Sequence, residues 1–247
     1  PHTAAANVPA LPDFSQWGDV ERETLDSNRR AHVDQMAWAR NLVPLGAHHD
    51  VADSTELEAI RQQQDGQGPG VTITAFALKA AANALKQFPR FNATLDLANH
   101  QLVLKKYCHL GVAVDTERGL RLPVLRDVDK KSVQQLAREL ADVVERARQN
   151  KLGPDELRGG TFTLMDIGSI GGTAFNPMVP STEVAILGIA RGRRQVVCAE
   201  DGQMASRWIL PLSLSYDPRV IDPVEAARFV RVIAEALQNP LVMLVQG

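Results

Sequence analysis

Long hydrophobic runs are absent from this sequence of 247 residues. The longest runs, Val184–Ile189 and Leu241–Val245, are far shorter than the roughly 20 residues that a membrane-spanning helix needs, which excludes a helical membrane protein. Lys and Arg number 27 against 29 Asp and Glu, a net charge of −2, so nothing indicates electrostatic binding to nucleic acid. We expect a soluble, cytoplasmic protein, or a protein of the mitochondrial matrix if the source is eukaryotic.

Cysteine is also scarce, because the chain has only Cys108 and Cys198. Two cysteines cannot form a disulfide framework, and their spacing fits no zinc ribbon. Both lie in apolar, strand-like runs, which predicts buried free thiols. The pair His48-His49 could in principle ligate a metal, but no third ligand follows at a suitable spacing, so a solvated loop pair is the favoured interpretation and no metal site is expected.

The domain organisation follows from composition. With 45% hydrophobic and 23% charged residues, the chain can bury one large core or two small ones. Alanine and proline dominate the first residues, so residues 1–12 are interpreted as the end of a flexible linker and residues 13–247 as the folded domain. We therefore expect a domain from a longer polypeptide.

Apolar periodicity and capping residues predict the helices. Thr55 and Glu58 have the spacing of a capping box, and so do Ser132 and Gln135. Asp222 is a good N-cap because Pro223 then takes the first helical position, where its missing N–H is not needed. The predicted helices cover residues 26–40, 56–64, 75–88 and 133–149, with a last one beginning after Asp222.

Alternating and apolar runs predict strands at residues 102–114, 120–125, 161–165, 184–190, 194–199 and 208–216. Asp201-Gly202 is a hairpin signal between the last two of these. Pro218 cannot donate a ladder hydrogen bond, so the final strand should end there. Helices mixed with strands predict an α+β sandwich, in which helices cover a mostly antiparallel or mixed sheet.

Residue patterns alone single out no active site. His109 is more typical of a satisfied strand residue than of a base. Gly168, Gly171 and Gly172 lack both the Lys-Ser/Thr pair and the spacing of a phosphate-binding loop. Asp217 and Arg219 flank Pro218 and are expected to have a structural role, paired with backbone groups or with other charges.

The segment 212–222, Leu-Ser-Leu-Ser-Tyr-Asp-Pro-Arg-Val-Ile-Asp, resembles the C-terminal signature of dihydrolipoamide acyltransferases, the E2 components of 2-oxo acid dehydrogenase complexes. Further stretches resemble the same family, most closely its pyruvate dehydrogenase acetyltransferases: residues 13–23, 55–58, 89–93, 112–124, 171–177 and 183–188. The resemblance covers nearly the whole chain. It implies a chloramphenicol-acetyltransferase-like fold and a trimer, usually built into a larger hollow core.

The same resemblance implies a catalytic arrangement that this sequence does not reproduce. In the family, a histidine of a His-x-x-x-Asp-Gly motif takes the thiol proton and a serine hydroxyl stabilises the oxyanion, in a channel between two subunits. Here Pro218 stands at the histidine, Pro223 at the glycine and Met165 at the serine, while Asp222 is retained. Neither proline nor methionine can do that work.

Further departures surround the expected channel: Pro44-Leu45-Gly46-Ala47 replaces Pro-His-Val-Thr, and residues 179–183 replace Ile-Asn-x-Pro-Glu. We therefore expect a catalytically silent core domain, a pseudoenzyme that acts as an oligomeric scaffold of a pyruvate dehydrogenase complex. Residues Met243, Leu244 and Val245 either join neighbouring trimers, as the resemblance implies, or close their own core.

Two alternatives stay open. The chain could be a working acyltransferase that moves an acyl group from lipoyl to coenzyme A, with Asp166 or His109 as a substitute base. It could instead be a module that binds coenzyme A or another small ligand without chemistry. No tightly bound cofactor is expected, coenzyme A would bind only if the channel is open, and lipoyl groups belong to upstream domains or partners. Expected partners are further copies of the chain, an active E2 and the other components of the complex.

Overall fold

The computed structural model describes residues 10–26, 29–30, 33–34, 36–37, 43–64, 70–198 and 202–241. Four α-helices are described in full: α1 (Thr55–Gln64), α2 (Ile73–Gln87), α3 (Val133–Arg148) and α4 (Pro223–Gln238). The strands are β1 (Gly46–Asp53), β2 (Ala93–Asp96), β3 (Gln101–Leu104), β4 (Leu110–Val112), β5 (Val124–Leu125), β6 (Phe162–Asp166), β7 (Ala185–Ile189), β8 (Arg193–Cys198) and β9 (Met204–Tyr216). No helix in this part of the chain is both long and apolar enough to cross a membrane.

One mixed sheet organises the described residues. Its strands run in the order β1-β9-β7-β6-β4-β5, and β8 pairs with the first part of β9 as a hairpin. The β4–β6 and β6–β7 pairs are parallel, and the other pairs of this sheet are antiparallel. Strands β2 and β3 form a separate small hairpin. The predicted α+β class with a mixed, helix-covered sheet is confirmed.

The core lies on the face of the sheet that the helices cover, which we call the helix face. Alternate residues of each strand point to it, as the period of two requires. Its centre is an aromatic cluster: the ring of Phe229 in α4 stacks on Phe91 at 3.9 Å and meets Phe88 and Phe162 edge-on. Phe91, Phe162 and Phe229 are fully buried, so this cluster fixes α4 to the sheet.

Two predicted helix starts are confirmed in detail. Ser132 and Gln135 form both hydrogen bonds of a capping box. The Asp222 carboxylate accepts the backbone N–H of Glu225 at 2.8 Å, and Pro223 is the first helical residue. The capping box predicted at Thr55 and Glu58 is wrong, because Thr55 already lies inside α1. Its hydroxyl donates to Asp53, and it accepts the backbone N–H of Trp208 at 2.8 Å.

Two strand predictions were too long. The run 102–114 is broken between Leu104 and Leu110, where the side-chain amide of Asn92 donates to the carbonyls of Lys105 and Tyr107 and takes them out of the ladder. The run 120–125 reduces to β5 because Pro123 lacks an N–H. A single bridge, Val114 with Arg121, precedes β5.

Other differences concern segments that the sequence pattern misjudged. Strand β1 was missed, so His48-His49 is a strand pair and not a loop pair. Cys108 is buried, and burial raises the pKa of its thiol to about 12. Cys198 is exposed, because the β8–β9 hairpin extends beyond the helices. The predicted helix 26–40 and the Asp201-Gly202 turn lie partly outside the described residues.

Candidate functional site

The sheet face that points away from the helices, which we call the far face, carries small and polar side chains. Strand register places four of these residues in one row across the sheet: Met165 pairs with Gly188, Gly188 with Ser213, and Ser213 with His49. The ring of Phe175 lies over Gly188, where an added Cβ would come within 2.6 Å of it. Glycine at 188 therefore admits an aromatic ring between Met165 and Ser213.

His49 forms the hydrogen bond that closes this row. Its Nδ1 lies 3.0 Å from Ser213 Oγ, and Ser213 is fully buried whereas the His49 ring is exposed. The backbone N–H of Phe175 donates to the same Ser213 oxygen at 3.4 Å. Sequence reasoning missed this pair because its two residues are 164 positions apart, and only the β1–β9 register brings them together.

The alternation of β1 separates the two adjacent histidines. His48 pairs with Leu214 and faces the helix side. A cavity of about 700 Å³ lies against this edge strand, and its lining includes His48, His49 and Asp50 together with Phe88 and Arg231. Since neighbouring strand residues point to opposite faces, His48 and His49 cannot ligate one metal ion together. Within the described residues there is no group of three or more His, Cys, Asp or Glu side chains that could hold a metal.

A buried carboxyl group lies on the far face beside this row. Glu183 is 7% exposed, and its Oε1 accepts the Thr163 hydroxyl at 3.0 Å, while Oε2 has no hydrogen-bond partner. Burial raises the pKa of Glu183 to about 7, against the opposing effects of the Thr163 hydrogen bond and the Lys105 charge. Glu183 is the last residue of the stretch 179–183, which differs from the family's Ile-Asn-x-Pro-Glu. This stretch therefore covers part of the far face.

Pro218 lies in an exposed turn just after β9, which ends at Tyr216 as predicted. The backbone N–H groups of Val220 and Ile221 both donate to the Asp217 carbonyl. The Arg219 guanidinium forms an ion pair with the Asp217 carboxylate at 2.6 Å. The two residues therefore have a structural role, but they pair with each other and not only with backbone groups or other charges as predicted.

Met165 and Pro218 are far apart in one chain. Met165 lies in register with Ser213, and β9 continues about 10 Å beyond Ser213 to Tyr216 before the turn that holds Pro218. The two positions that the sequence resemblance singles out therefore do not meet within one copy of the chain. Asp222 caps α4, which is the role expected for it once the histidine is gone.

The two substitute bases considered from sequence are placed differently. Asp166 ends β6 and points to the helix side, where it accepts the Thr74 hydroxyl at 2.7 Å and the Gly168 N–H at 2.8 Å. His109 precedes β4, and its Nδ1 accepts the backbone N–H of Asp127 at 3.0 Å. His109 is opposite Thr161, four residues before Met165, so it lies about 13 Å from Met165 along β6.

The remaining candidates have structural explanations. The carbonyls of Gly168, Ser169 and Ile170 accept hydrogen bonds from the Arg191 guanidinium, so this glycine loop holds a cation of its own chain. Gly46 belongs to the stretch 44–47, which differs from the family's Pro-His-Val-Thr. It lies against the Tyr216 ring, and an added Cβ would come within 2.7 Å of the ring atoms. Met243, Leu244 and Val245 lie outside the described residues.

Comparison with known proteins identifies the family. The model of the 2-oxoacid dehydrogenases acyltransferase (catalytic domain) family matches residues 18–245. The pyruvate dehydrogenase acetyltransferase component of Cupriavidus necator is 44% identical over 222 residues, which are 88% of this chain and 39% of that protein. The component of Pseudomonas aeruginosa is 41% identical over 96% of this chain and 44% of its own length. The chain belongs to the 2-oxo acid dehydrogenase acyltransferase family.

Solved structures agree with this assignment. A structure of Azotobacter vinelandii dihydrolipoamide acetyltransferase, from work on a serine, a histidine and an asparagine in its catalytic mechanism, superposes with a TM-score of 0.91. It is 40% identical and covers 96% of this chain and 100% of its own. Chloramphenicol acetyltransferase, at 13% identity and a TM-score of 0.54, covers 87% of this chain and 99% of its own and shares the fold alone. The chain spans about two fifths of the length of the two curated relatives.

Proposed function

We propose that this chain is the core domain of the acetyltransferase component of a pyruvate dehydrogenase complex. In this proposal it transfers an acyl group from a lipoyl thiol to coenzyme A with residues that replace the family's own. The observation that carries the proposal is the similarity to acetyltransferase components over nearly the whole chain, at 44% and 41% identity. The complete superposition with a solved acetyltransferase supports it.

The site chemistry requires replacement residues. Pro218 has no proton-transferring group and Met165 no hydrogen to donate, so neither can act as base or oxyanion donor. Loss of a general base alone typically lowers a rate by a hundred- to ten-thousandfold. We therefore expect transfer that is slower than in relatives with a histidine, and driven by the alignment of the two substrates together with another base.

Assembly is the second part of the proposal. A solved relative with a TM-score of 0.91 is the cubic core of a pyruvate dehydrogenase multienzyme complex. The separation of Met165 from Pro218 supports a site shared between copies, because Pro218 lies beyond the end of β9, about 10 Å of strand and a turn away from the row of Met165. In this proposal the chain forms trimers and a larger core in the cytoplasm, and lipoyl groups reside on segments or partners outside it.

The test is an assay of acetyl transfer from acetyl-dihydrolipoamide to coenzyme A, with the reaction without protein as baseline. We expect the unmodified protein to exceed the baseline measurably. The Pro218→His, Met165→Ser double variant should raise the rate by at least a hundredfold if the channel is open. Sedimentation velocity should show a particle of several subunits. A monomer would overturn the proposal that the chain assembles into trimers and a larger core.

A second candidate function is a catalytically silent scaffold. Pro218 and Met165 favour it, because neither can act as base or oxyanion donor. It predicts an assembled particle whose transfer rate equals the baseline. Calorimetric titration with coenzyme A then separates a pure scaffold, which shows no heat of binding, from a module that binds the ligand without chemistry. Activity in the unmodified protein excludes both.

A further inference from the structure

The far face holds one exposed side chain that could accept a proton next to the candidate site. In the row of Met165, Gly188, Ser213 and His49, the imidazole of His49 is the side chain that can act as a general base. Glu183 on the same face is buried and bonded to Thr163, and His109 accepts the Asp127 N–H and lies about 13 Å from Met165 along β6. Asp166 and His48 point to the helix face, so they do not compete for the same position.

Hydrogen bonding at Ser213 orients the His49 ring. A serine oxygen has two lone pairs, so Ser213 Oγ can accept both the Phe175 N–H and a proton on His49 Nδ1. With the proton on Nδ1, Nε2 carries the free lone pair, and it has no hydrogen-bond partner among the described residues. A base fixed through one ring nitrogen and open at the other is the arrangement that general-base catalysis by histidine requires.

The surroundings of His49 suit a thioester. The Phe175 ring over Gly188 gives an apolar surface one strand away from Ser213, and Met165 extends this surface along the row. An acyl-lipoyl group is apolar and flexible, and sulfur contacts aromatic rings favourably. The row therefore combines a proton acceptor at one end with an apolar floor beside it.

We propose that His49 is the general base of this chain, the role that Pro218 cannot fill. This inference rests on the proposed acyl transfer. His49 Nε2 takes the proton from the thiol of coenzyme A, and the thiolate attacks the carbonyl carbon of the acyl-lipoyl thioester. The bond from that carbon to the lipoyl sulfur breaks, and the leaving lipoyl thiolate takes the proton back from His49. Ser213 acts as a positioning residue through Nδ1.

The experiment compares His49→Ala with His48→Ala in the assembled protein. The two residues are neighbours in β1 on opposite faces, so His48→Ala controls for effects on the strand. Acetyl transfer to coenzyme A, calorimetric affinity for coenzyme A and the effect of added imidazole are measured for both. We expect His49→Ala to lower kcat about a hundredfold or more with unchanged affinity, and imidazole to restore part of the rate. His48→Ala should stay within about threefold of the unmodified protein.

Failure of the proposed role of His49 can be distinguished from failure of the proposed acyl transfer. An unmodified protein that transfers acetyl groups, with His49→Ala equally active, overturns the role of His49 and leaves the proposed function intact. A loss that imidazole does not restore and that coincides with weaker binding of coenzyme A shows a structural role and also overturns the inference. An unmodified protein with no transfer above the baseline overturns the proposed function and the base together.

Discussion

The two faces of the main sheet are built from the same strands but differ in almost every property. The helix face carries most of the apolar core, with Phe91, Phe162 and Phe229 completely buried in one aromatic cluster. The far face carries a hydrogen-bonded histidine and serine, a glycine under an aromatic ring, and a buried carboxyl group with an unpartnered oxygen. The first face stabilises the domain, and the second carries the polar groups on which the proposed site depends.

The largest effect is expected on the helix face, from Phe229→Ala. This change removes the ring that stacks on Phe91 at 3.9 Å and leaves a cavity between α4 and the sheet. Substitutions of this kind cost about 3–5 kcal/mol in the free energy of unfolding. Urea denaturation followed by circular dichroism measures the loss. A cost below about 1 kcal/mol would contradict the view that this cluster holds α4 in place.

The helix face was also the more predictable one, for a physical reason. Caps such as Ser132 with Gln135, and Asp222 with Pro223, depend on residues within one helical turn, so local sequence specifies them. Strand β1 was missed because both of its faces carry polar residues at His48, His49 and Asp50, which obscures the alternation that identifies a half-buried strand.

The far face depends on register, which local patterns do not specify. The contact between His49 and Ser213 joins two strands through a pairing that spans most of the chain. The burial of Glu183 likewise depends on a covering segment and on Thr163 in β6. The resemblance to a family supplied the fold class and the unusual Pro218 and Met165, but only the register shows that these two lie at separate places.

A substitution on the far face, Glu183→Gln, should increase stability at neutral and alkaline pH. Burial raises the pKa of this carboxyl from 4.5 to about 7 in the folded chain, so the folded state binds the proton more tightly than the unfolded state. The contribution of the protonated group is complete below pH 4.5 and is lost as the pH rises through about 7. The loss amounts to about 3 kcal/mol.

The free energy of unfolding, measured by urea denaturation between pH 5 and pH 9, checks this prediction. The unmodified chain should lose stability over that range more steeply than Glu183→Gln. Glu58→Gln is the matched control of opposite sign, because the hydrogen bond from Arg61 lowers the pKa of Glu58 and its carboxylate stabilises the fold near neutral pH. Parallel pH profiles for the unmodified chain and Glu183→Gln would show that Glu183 is solvated or paired in solution.

A smaller effect is expected at the end of β9, where Asp222→Ala removes the cap of α4. The carboxylate accepts the Glu225 N–H at 2.8 Å, and loss of such a cap costs about 1 kcal/mol. Thermal unfolding measures the change, with Asp222→Asn as the control that keeps an acceptor oxygen. If Asp222→Asn costs as much as Asp222→Ala, the negative charge rather than the hydrogen bond stabilises the helix.

The smallest effect is expected at Val51 of β1, and its buried neighbour Ala52 provides the contrast within the same strand. Val51 is 48% exposed on the far side of β1, and Ala52 is fully buried on the helix side. Val51→Thr should change the free energy of unfolding by less than about 0.5 kcal/mol, whereas Ala52→Val should cost about 1–3 kcal/mol through overpacking. β1 is an edge strand of the sheet. Urea denaturation measures both changes, and a loss above about 1 kcal/mol for Val51→Thr would contradict the exposure of this side of β1.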